Sequence, residues 1–241
     1  MKDILKIGLV IADELEYVPM RKYVQKHCGN RKDFYKREGH MLSLCEGGKQ
    51  IDVYSVLCGI GMVNAAAAAM FLVENGIDII INTGLSGGIS NINRGEITIG
   101  TQFIEHDFDL TPLGKKPGEK PSQKYIYDSD ADLLEHYCRL FNFVKKGVMV
   151  SGDSFVGDEN LRNFLKETWN AMSCDMESAA VAYVCDLTGT KFTAVRCISD
   201  DAGSDASESY TEMNERAESA LLDIVFKGIY KMFDNPSFWQ E

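Results

Sequence analysis

Carboxylate side chains stand at positions of this sequence where packing alone does not require them. Asp175-Met176-Glu177 separates a short strand-like segment from an alanine-rich helical one, and the apolar run from Phe192 to Ile198 leads into Ser199 and Asp200. Because ligands in α/β sheets bind at the carboxyl ends of the strands, we predict that both segments contribute to one active-site rim. A third acid, Glu16, follows the first strand-like run.

Each of these features also has a purely structural explanation. Glu16 fits a solvated first turn of a helix, Glu177 can interact with a helix dipole, and Asp200 can cap a following helix. The segment from Gly84 to Gly88 can be a tight turn, or it can present backbone N–H groups to an anion or a hydroxyl. Phe155, after another strand, can be a core residue or can stack on a flat heterocycle. It is unexpected for all of these structural explanations to hold together at successive strand ends. A single site shared by these residues is the more expected explanation.

The order of the segments predicts the fold. An apolar run over Ile4–Ile11 indicates a buried strand, Gly47-Gly48 between two alternating runs indicates a hairpin, and residues 62–74 form an alanine-rich helix. A short strand over residues 79–81 is followed by the glycine-rich turn, and a long helix covers about residues 207–233. This alternation predicts an α/β fold: one domain over residues 1–241, with a mixed, largely parallel central sheet flanked by helices.

Composition limits the classes of function. The chain has 241 residues, of which 45% are hydrophobic and 25% charged, and a net charge of −11, which argues against nucleic acid as a partner. No apolar stretch approaches the roughly 20 residues of a membrane helix, and no signal peptide is evident. The seven cysteines include no CxxC pair, and the four histidines share no ligand spacing. We therefore expect a cytoplasmic protein with reduced cysteines, no membrane partner, no metal and no cofactor.

One glycine pattern points elsewhere and is discounted. Gly59-Ile60-Gly61 is similar to the start of a dinucleotide-binding fingerprint. The third glycine is missing, however, and no acidic residue ends a following strand at the required distance. The pattern does not predict a dinucleotide cofactor.

Taken together, the segments resemble the 5′-methylthioadenosine/S-adenosylhomocysteine nucleosidases of the nucleoside phosphorylase superfamily. The resemblance spans nearly the whole chain in family order, and its most specific parts are Asp175-Met176-Glu177 and the stretch from Arg196 to Asp200. It implies a homodimer that cleaves the N-glycosidic bond of a 5′-modified adenine nucleoside and releases adenine. The other matching segments are residues 7–16, 59–61 with 63–66, 80–84 with 87–88, and 150–153 with Phe155.

The resemblance also implies a role for each matching residue. Asp200 would bind the purine at N7 and the 6-amino group and protonate N7, while Ser199 holds Asp200. Glu16, assisted by Arg196, would deprotonate the attacking water. Proton transfer to a poor leaving group and carboxylates beside a developing oxocarbenium ion suit this chemistry. The implied substrate-binding residues are Phe155 on the base face, Val156 at the base edge, Met176 and Glu177 at the ribose, and Ile60, Ser86, Gly87 and Tyr210.

Three residues and one loop depart from the family pattern. Asp13 stands where methionine is usual, Met62 where lysine is usual, and Leu85 where serine or alanine is usual. The loop over residues 111–123 is not recognisable as the family's loop. These departures leave the 5′ substituent open among methylthioadenosine, adenosylhomocysteine, 5′-deoxyadenosine and futalosine types.

The same departures leave the reaction itself open to two other interpretations. A phosphorylase is the first, but the segment Ile11-Ala12-Asp13-Glu14 replaces the phosphate-binding turn, and Glu16 would repel phosphate. A nucleoside-binding sensor without catalysis is the second, because a fold does not guarantee an activity. The presence of Glu16, Glu177 and Asp200 favours hydrolysis.

Overall fold

The computed structural model describes residues 3–203 and 215–240. Its strands are β1 (Ile4–Ile11), β2 (Asn30–Arg31), β3 (Gly39–Glu46), β4 (Lys49–Leu57), β5 (Ile79–Gly88), β6 (Ile97–Glu105), β7 (Ile126–Asp128), β8 (Lys145–Ser151), β9 (Ala171–Asp175) and β10 (Lys191–Asp200). Its helices are α1 (Glu14–Lys26), α2 (Met62–Glu74), α3 (Ala131–Leu140), α4 (Glu159–Trp169), α5 (Ser178–Thr188) and α6 (Glu215–Lys231), with short 3₁₀ turns at Thr111–Leu113 and Pro236–Trp239.

The strands form a single sheet that closes on itself over half of its width. The order is β10-β6-β8-β9-β5-β1-β4-β3-β2, with β7 beside β6, and β10 also pairs with β5. The strands β5, β10, β6, β8 and β9 therefore make a ring, and β1, β4, β3 and β2 extend from it as an open sheet. This closure brings the ends of β5, β9 and β10 together.

The α/β class and the mixed sheet agree with the prediction, but the described strands are not largely parallel. Parallel pairs are β1–β4, β1–β5, β5–β10, β6–β8 and β8–β9. Antiparallel pairs, equally frequent, are β2–β3, β3–β4, β5–β9, β6–β7 and β6–β10. The Gly47-Gly48 connection is too short for a crossover, so it imposes an antiparallel pair, and closure of the ring adds two more.

The predicted turn after residue 81 is wrong, because β5 continues to Gly88. Leu85 and Ser86 pair with β10, and Gly87 pairs with Cys174 of β9. Pairing on both sides overrides the turn-forming composition. Glycine is needed here for close packing: a Cβ on Gly87 would lie 3.0 Å from the Cys174 Sγ and 3.1 Å from the Asp200 Oδ1.

Helices cover both faces of the open part of the sheet. Leu9 of β1 packs in a core with α1, α3 and α6, whereas its neighbour Val10 packs on the other face with α2 and α5. A strand buried on both faces reads as the continuous apolar run seen in the sequence. The α2 helix has the predicted bounds, whereas residues 207–214 of the predicted last helix lie outside the described residues.

Among the described residues, no helix combines the length and apolar character needed to cross a membrane.

Candidate active site

A cavity of about 330 Å³ opens at the carboxyl ends of β1, β5, β9 and β10. Its size falls in the range of small-molecule sites, which is about 300–1,000 Å³. The predicted residues that line it are Glu16, Ile60, Ser86, Gly87, Phe155, Val156, Met176, Glu177, Ser199 and Asp200. Arg196 lies beneath the cavity wall, and Tyr210 lies outside the described residues.

The start of α1 fixes Glu16. Asp13 is the N-cap residue: its Oδ1 accepts a hydrogen bond from the Leu15 N–H at 2.8 Å, and its own N–H donates to the Glu16 Oε2 at 3.2 Å. This reciprocal arrangement is a capping box, which the spacing of the two acids favours. The Leu85 N–H donates to the other Glu16 oxygen at 2.7 Å. The carboxyl group is thus held between α1 and β5.

Gly84 leaves room for that carboxyl group. A Cβ on Gly84, whose φ is +156°, would lie 2.7 Å from both carboxyl oxygens of Glu16. Burial raises the pKa of Glu16 to about 7, against the opposing effects of the Arg196 charge and the Leu85 N–H. A group that exchanges a proton near neutral pH suits a general base.

Arg196 is a buried cation shared by two acids. Its side chain is 1% exposed, and its Nη2 lies 3.2 Å from the Asp175 Oδ2 and 3.2 Å from the Glu177 Oε2. The guanidinium also donates to the Leu85 carbonyl at 3.2 Å and to the Asn82 side-chain oxygen. Arg196 does not line the cavity, but its charge lowers the pKa of Glu16; its assistance to Glu16 in catalysis stays a prediction.

Asp175 and Glu177 differ in how many donors they have. Ser151, Ser178 and the N–H groups of residues 177 and 178 donate to Asp175. Burial opposes charge on Asp175, but the Arg196 guanidinium and these donors outweigh it, so its pKa is lowered. Burial raises the pKa of Glu177, although Arg196 and the Gly61 N–H, 3.0 Å from its Oε1, act the other way. Asp175 is the more firmly ionised of the two acids.

Asp200 ends β10 at an irregularity in the strand. The pairing register with β5 shifts between Ile198 and Asp200, and a bulge of this kind redirects the side chains around it. The Ser199 hydroxyl donates to the Asp200 Oδ2 at 2.7 Å, and the Ala202 N–H donates to Oδ1 at 2.8 Å. The residue is 3% exposed, and burial raises its pKa despite these two donors. A carboxyl group with a raised pKa can carry the proton that a general acid gives.

The loop after β8 supplies an open aromatic ring. Phe155 is 48% exposed, so it is not the core residue that its position after a strand first indicates, whereas Val156 beside it is buried. Both residues line the cavity, as do Asp200 and Cys174. The cavity therefore offers a flat apolar ring and a hydrogen-bonding carboxyl group.

The sequence analysis missed the residues beneath and between the predicted ones. Asn82 and Ser178 contact Arg196 but contribute no surface to the cavity. Asp13, Leu85 and Cys174 line the cavity without being in the predicted set. The sequence did carry a signal for two residues. Asn82 is a polar residue at the end of an apolar run, and Asp175 belongs to the Asp175-Met176-Glu177 motif. Within the described residues, no group of three or more His, Cys, Asp or Glu side chains could hold a metal ion.

Comparison with known proteins agrees with this geometry. The family profile of the Phosphorylase superfamily matches residues 6–228. The 5′-methylthioadenosine/S-adenosylhomocysteine nucleosidase of Bacillus pumilus is 35% identical over 186 residues, which are 74% of this chain and 80% of the relative. The nucleosidase of the same name from Halalkalibacterium halodurans is 34% identical over 231 residues, 91% of this chain and 96% of the relative.

The chain belongs to this nucleosidase family of the Phosphorylase superfamily. A solved structure of the Neisseria meningitidis nucleosidase, in complex with methylthio-immucillin-A, matches it with a TM-score of 0.82 at 28% identity. The match covers 93% of this chain and 98% of the other. The predicted family and enzyme class are thereby confirmed, whereas the roles of single residues stay predictions.

The raised pKa of Glu16 predicts a pH-dependent effect of Glu16→Gln on stability. An acid whose pKa rises from 4.5 to about 7 on folding stabilises the fold fully below pH 4.5, and this contribution is lost as the pH rises through 7. Glutamine does not titrate, so the stability of the variant does not fall in this way as the pH rises. We expect the free energy of unfolding of the variant, relative to wild type, to rise by about 1 to 3 kcal/mol between pH 4.5 and pH 8.

Urea unfolding at a series of pH values measures this difference. Glu167→Gln, at an exposed position of α4, is the matched control and should follow wild type at every pH. A difference between Glu16→Gln and wild type that stays constant with pH would show that Glu16 has an ordinary pKa.

Proposed function

We propose that this protein hydrolyses the N-glycosidic bond of a 5′-modified adenine nucleoside, of the 5′-methylthioadenosine or S-adenosylhomocysteine type, and releases adenine. One observation carries the proposal: Glu16, Glu177 and Asp200, from three separate parts of the sequence, line one cavity. The names of the relatives and the nucleoside analogue bound to the Neisseria protein support it.

Asp200 acts on the base in this proposal. Adenine leaves poorly as an anion, so a proton given to N7 as the bond between C1′ and N9 breaks lets the electron pair leave on a neutral base. The raised pKa of Asp200 favours the protonated state that this step needs. Ser199 holds the carboxyl group by its 2.7 Å hydrogen bond, and Phe155 stacks on the purine.

Glu177 and Glu16 act on the sugar. Glu177 accepts hydrogen bonds from the 2′- and 3′-hydroxyls, with Met176 packed beside the ring. As C1′ becomes electron-poor, the carboxylates stabilise the developing cation. Water then bonds to C1′ through its oxygen and gives a proton to Glu16. Arg196 is fixed beneath the cavity wall, and its positive charge partly offsets the negative charge of the acids.

The charge of the cavity favours water over phosphate as the nucleophile. Among the described residues that line it, five carry carboxyl groups and none is lysine or arginine. A phosphate dianion needs several convergent donors, and here it would meet carboxylates. The phosphorylase alternative lacks a site for its second substrate in this part of the chain.

The assembly and setting of the enzyme are also proposed. Residues 1–241 act as one domain, and two copies form a homodimer through the exposed apolar side chains around the start of α2. Tyr35 is 78% exposed, Val63 79% and Ile60 50%, and exposed apolar surface of this kind marks interaction sites. The unpaired cysteines favour the cytoplasm.

A nucleoside panel assayed with and without phosphate tests the proposed function. Methylthioadenosine, adenosylhomocysteine, 5′-deoxyadenosine and a futalosine-type nucleoside are incubated with the protein, and free base is measured. We expect adenine release at the same rate in both buffers. Release that depends on phosphate and yields a sugar 1-phosphate would establish a phosphorylase, and tight binding without turnover would establish a sensor.

Removal of the proton from Asp200 should arrest the chemical step. We expect Asp200→Asn to lower kcat by about 10²- to 10⁴-fold, the usual contribution of a general acid. Circular dichroism should show an unchanged fold, because the asparagine side-chain oxygen can accept the hydrogen bond from the Ala202 N–H and its NH2 group can donate to the Ser199 hydroxyl oxygen. Asp201→Asn, at the exposed neighbour, is the matched control with unchanged kcat. A near wild-type rate in Asp200→Asn would remove Asp200 from the mechanism.

A methyl group on Gly84 should displace the base. In Gly84→Ala the new Cβ clashes with both Glu16 oxygens, so we expect kcat to fall by about 10²-fold or more. Gly95→Ala is the matched control: its φ of +83° is also unfavourable for alanine, but its Cβ would meet nothing within 4 Å. The control should lose stability and keep its kcat. Equal activity losses in both variants would contradict the placement of Glu16.

A further inference from the structure

The two ends of the cavity are built from opposite parts of the sheet. Cys174, Phe155 and Asp200 follow or belong to β9, β8 and β10, on one side of β5. Asp13 and Ile60 follow β1 and β4, on the other side of β5. In the proposed function the base occupies the first end. In that orientation the 5′ carbon, which projects from the part of the sugar remote from the base, points to the end of the cavity that Asp13 lines.

Asp13 brings a negative charge that no described cation neutralises. Its side chain forms no ion pair with the described side chains of residues 3–203 and 217–240. Arg21, on the same helix, is bound to Glu14 at 2.8 Å and to Glu38 at 2.7 Å. Arg37 donates to the Asn64 side-chain oxygen at 2.6 Å and is not a cavity residue.

The capping role of Asp13 does not require its charge. The cap uses a side-chain oxygen that accepts the Leu15 N–H, and asparagine or serine caps a helix about as well as aspartate. The reciprocal bond of the capping box is donated by the backbone of Asp13, so it is independent of the side chain. Helix formation thus explains a polar residue at this position, but it does not explain a charged one at a residue that lines the cavity.

The other described groups at this end do not supply a compensating positive charge. Ala12, Ile60 and Leu85 are apolar, and the next carboxyl group along the wall is Glu16. An ammonium placed here would meet an unpaired carboxylate, whereas a carboxylate or phosphate would be repelled by it. Among the described residues that line this end, only acids carry a charge. The electrostatic potential there is therefore negative.

We propose that Asp13 makes the 5′ end of the cavity a charge-selecting subsite, which favours adenine nucleosides with a cationic 5′ substituent, such as a primary ammonium, and disfavours anionic ones. The inference rests on the proposed function for the orientation of the nucleoside. Asp13 is then a specificity-determining residue, and nucleosides with a 5′-ammonium group gain the most affinity from it.

Binding of three nucleosides of similar size tests this selection. The ligands are 5′-amino-5′-deoxyadenosine, adenosine and adenosine 5′-carboxylate, which are positive, neutral and negative at the 5′ position. Dissociation constants are measured by calorimetry at pH 7 in the Asp200→Asn background, so that hydrolysis does not interfere. Asp13→Asn is added to remove the charge and keep the cap. Glu14→Gln, one residue away and outside the cavity lining, is the matched control.

We expect the amino nucleoside to bind more tightly than adenosine. Asp13→Asn should reduce this preference about five- to tenfold, which corresponds to roughly 1 to 1.4 kcal/mol. The same change should improve binding of the carboxylate, and Glu14→Gln should alter neither ratio. A preference unchanged by Asp13→Asn, or changed equally by Glu14→Gln, would overturn the inference.

The outcome is separable from that of the proposed function. Adenine release from methylthioadenosine by the wild-type protein tests hydrolysis, and it does not depend on the ratio of dissociation constants. Release with an unchanged ratio refutes the charge selection alone. Selective binding without release refutes hydrolysis alone and upholds the subsite. Failure of all three nucleosides to bind refutes both.

Discussion

The site depends on one buried cation. Arg196 has 1% of its surface exposed, and a guanidinium removed from water in this way must be paired and hydrogen-bonded to be tolerated. Asp175 and Glu177 supply the charge, and Asn82 and the Leu85 carbonyl supply further acceptors. These partners belong to β5, β9 and the turn before α5. The pairing therefore fixes the strand ends on which the cavity is built.

The charge of Arg196 lowers the pKa of Asp175 and opposes the effect of burial on Glu16 and Glu177. Asp175, with the most donors, is held ionised, whereas burial raises the pKa values of Glu16, Glu177 and Asp200. The raised pKa values of Glu16 and Asp200 suit the two proton transfers proposed for them, whereas the ionised Asp175 pairs with the guanidinium. Without Arg196, Asp175 and Glu177 would lose the cation that lies 3.2 Å from each of them and opposes their mutual repulsion.

The sequence was most informative where a signal is local. Glu16, Glu177 and Asp200 stand at the ends of strands whose apolar runs are readable, so their convergence at one edge of the sheet followed from the topology of α/β folds. The cap formed by Asp13 is likewise local. The β3–β4 hairpin and the bounds of α2 also followed from nearby residues.

The rest could not be predicted because it arises from pairing between distant segments. The glycines from 84 to 88 look like a turn, and only the flanking β9 and β10 make them a strand. Asn82 meets Arg196 across 114 positions of the sequence, so no spacing reveals the contact. Two of the five antiparallel pairs, β5–β9 and β6–β10, arise from closure of the ring, which the order of the elements does not encode.

A crystal structure with an adenosine analogue whose base and sugar are joined by a carbon–carbon bond tests the central claim most directly. Such a ligand cannot be hydrolysed and shows which carboxyl group meets which atom. We predict Asp200 within about 3 Å of the base position equivalent to N7, Glu177 at the same distance from the 2′- and 3′-hydroxyls, and Glu16 bound to a water below C1′. A ligand bound outside this cavity, or one with its sugar against Asp200 and its base against Glu16, would contradict the account.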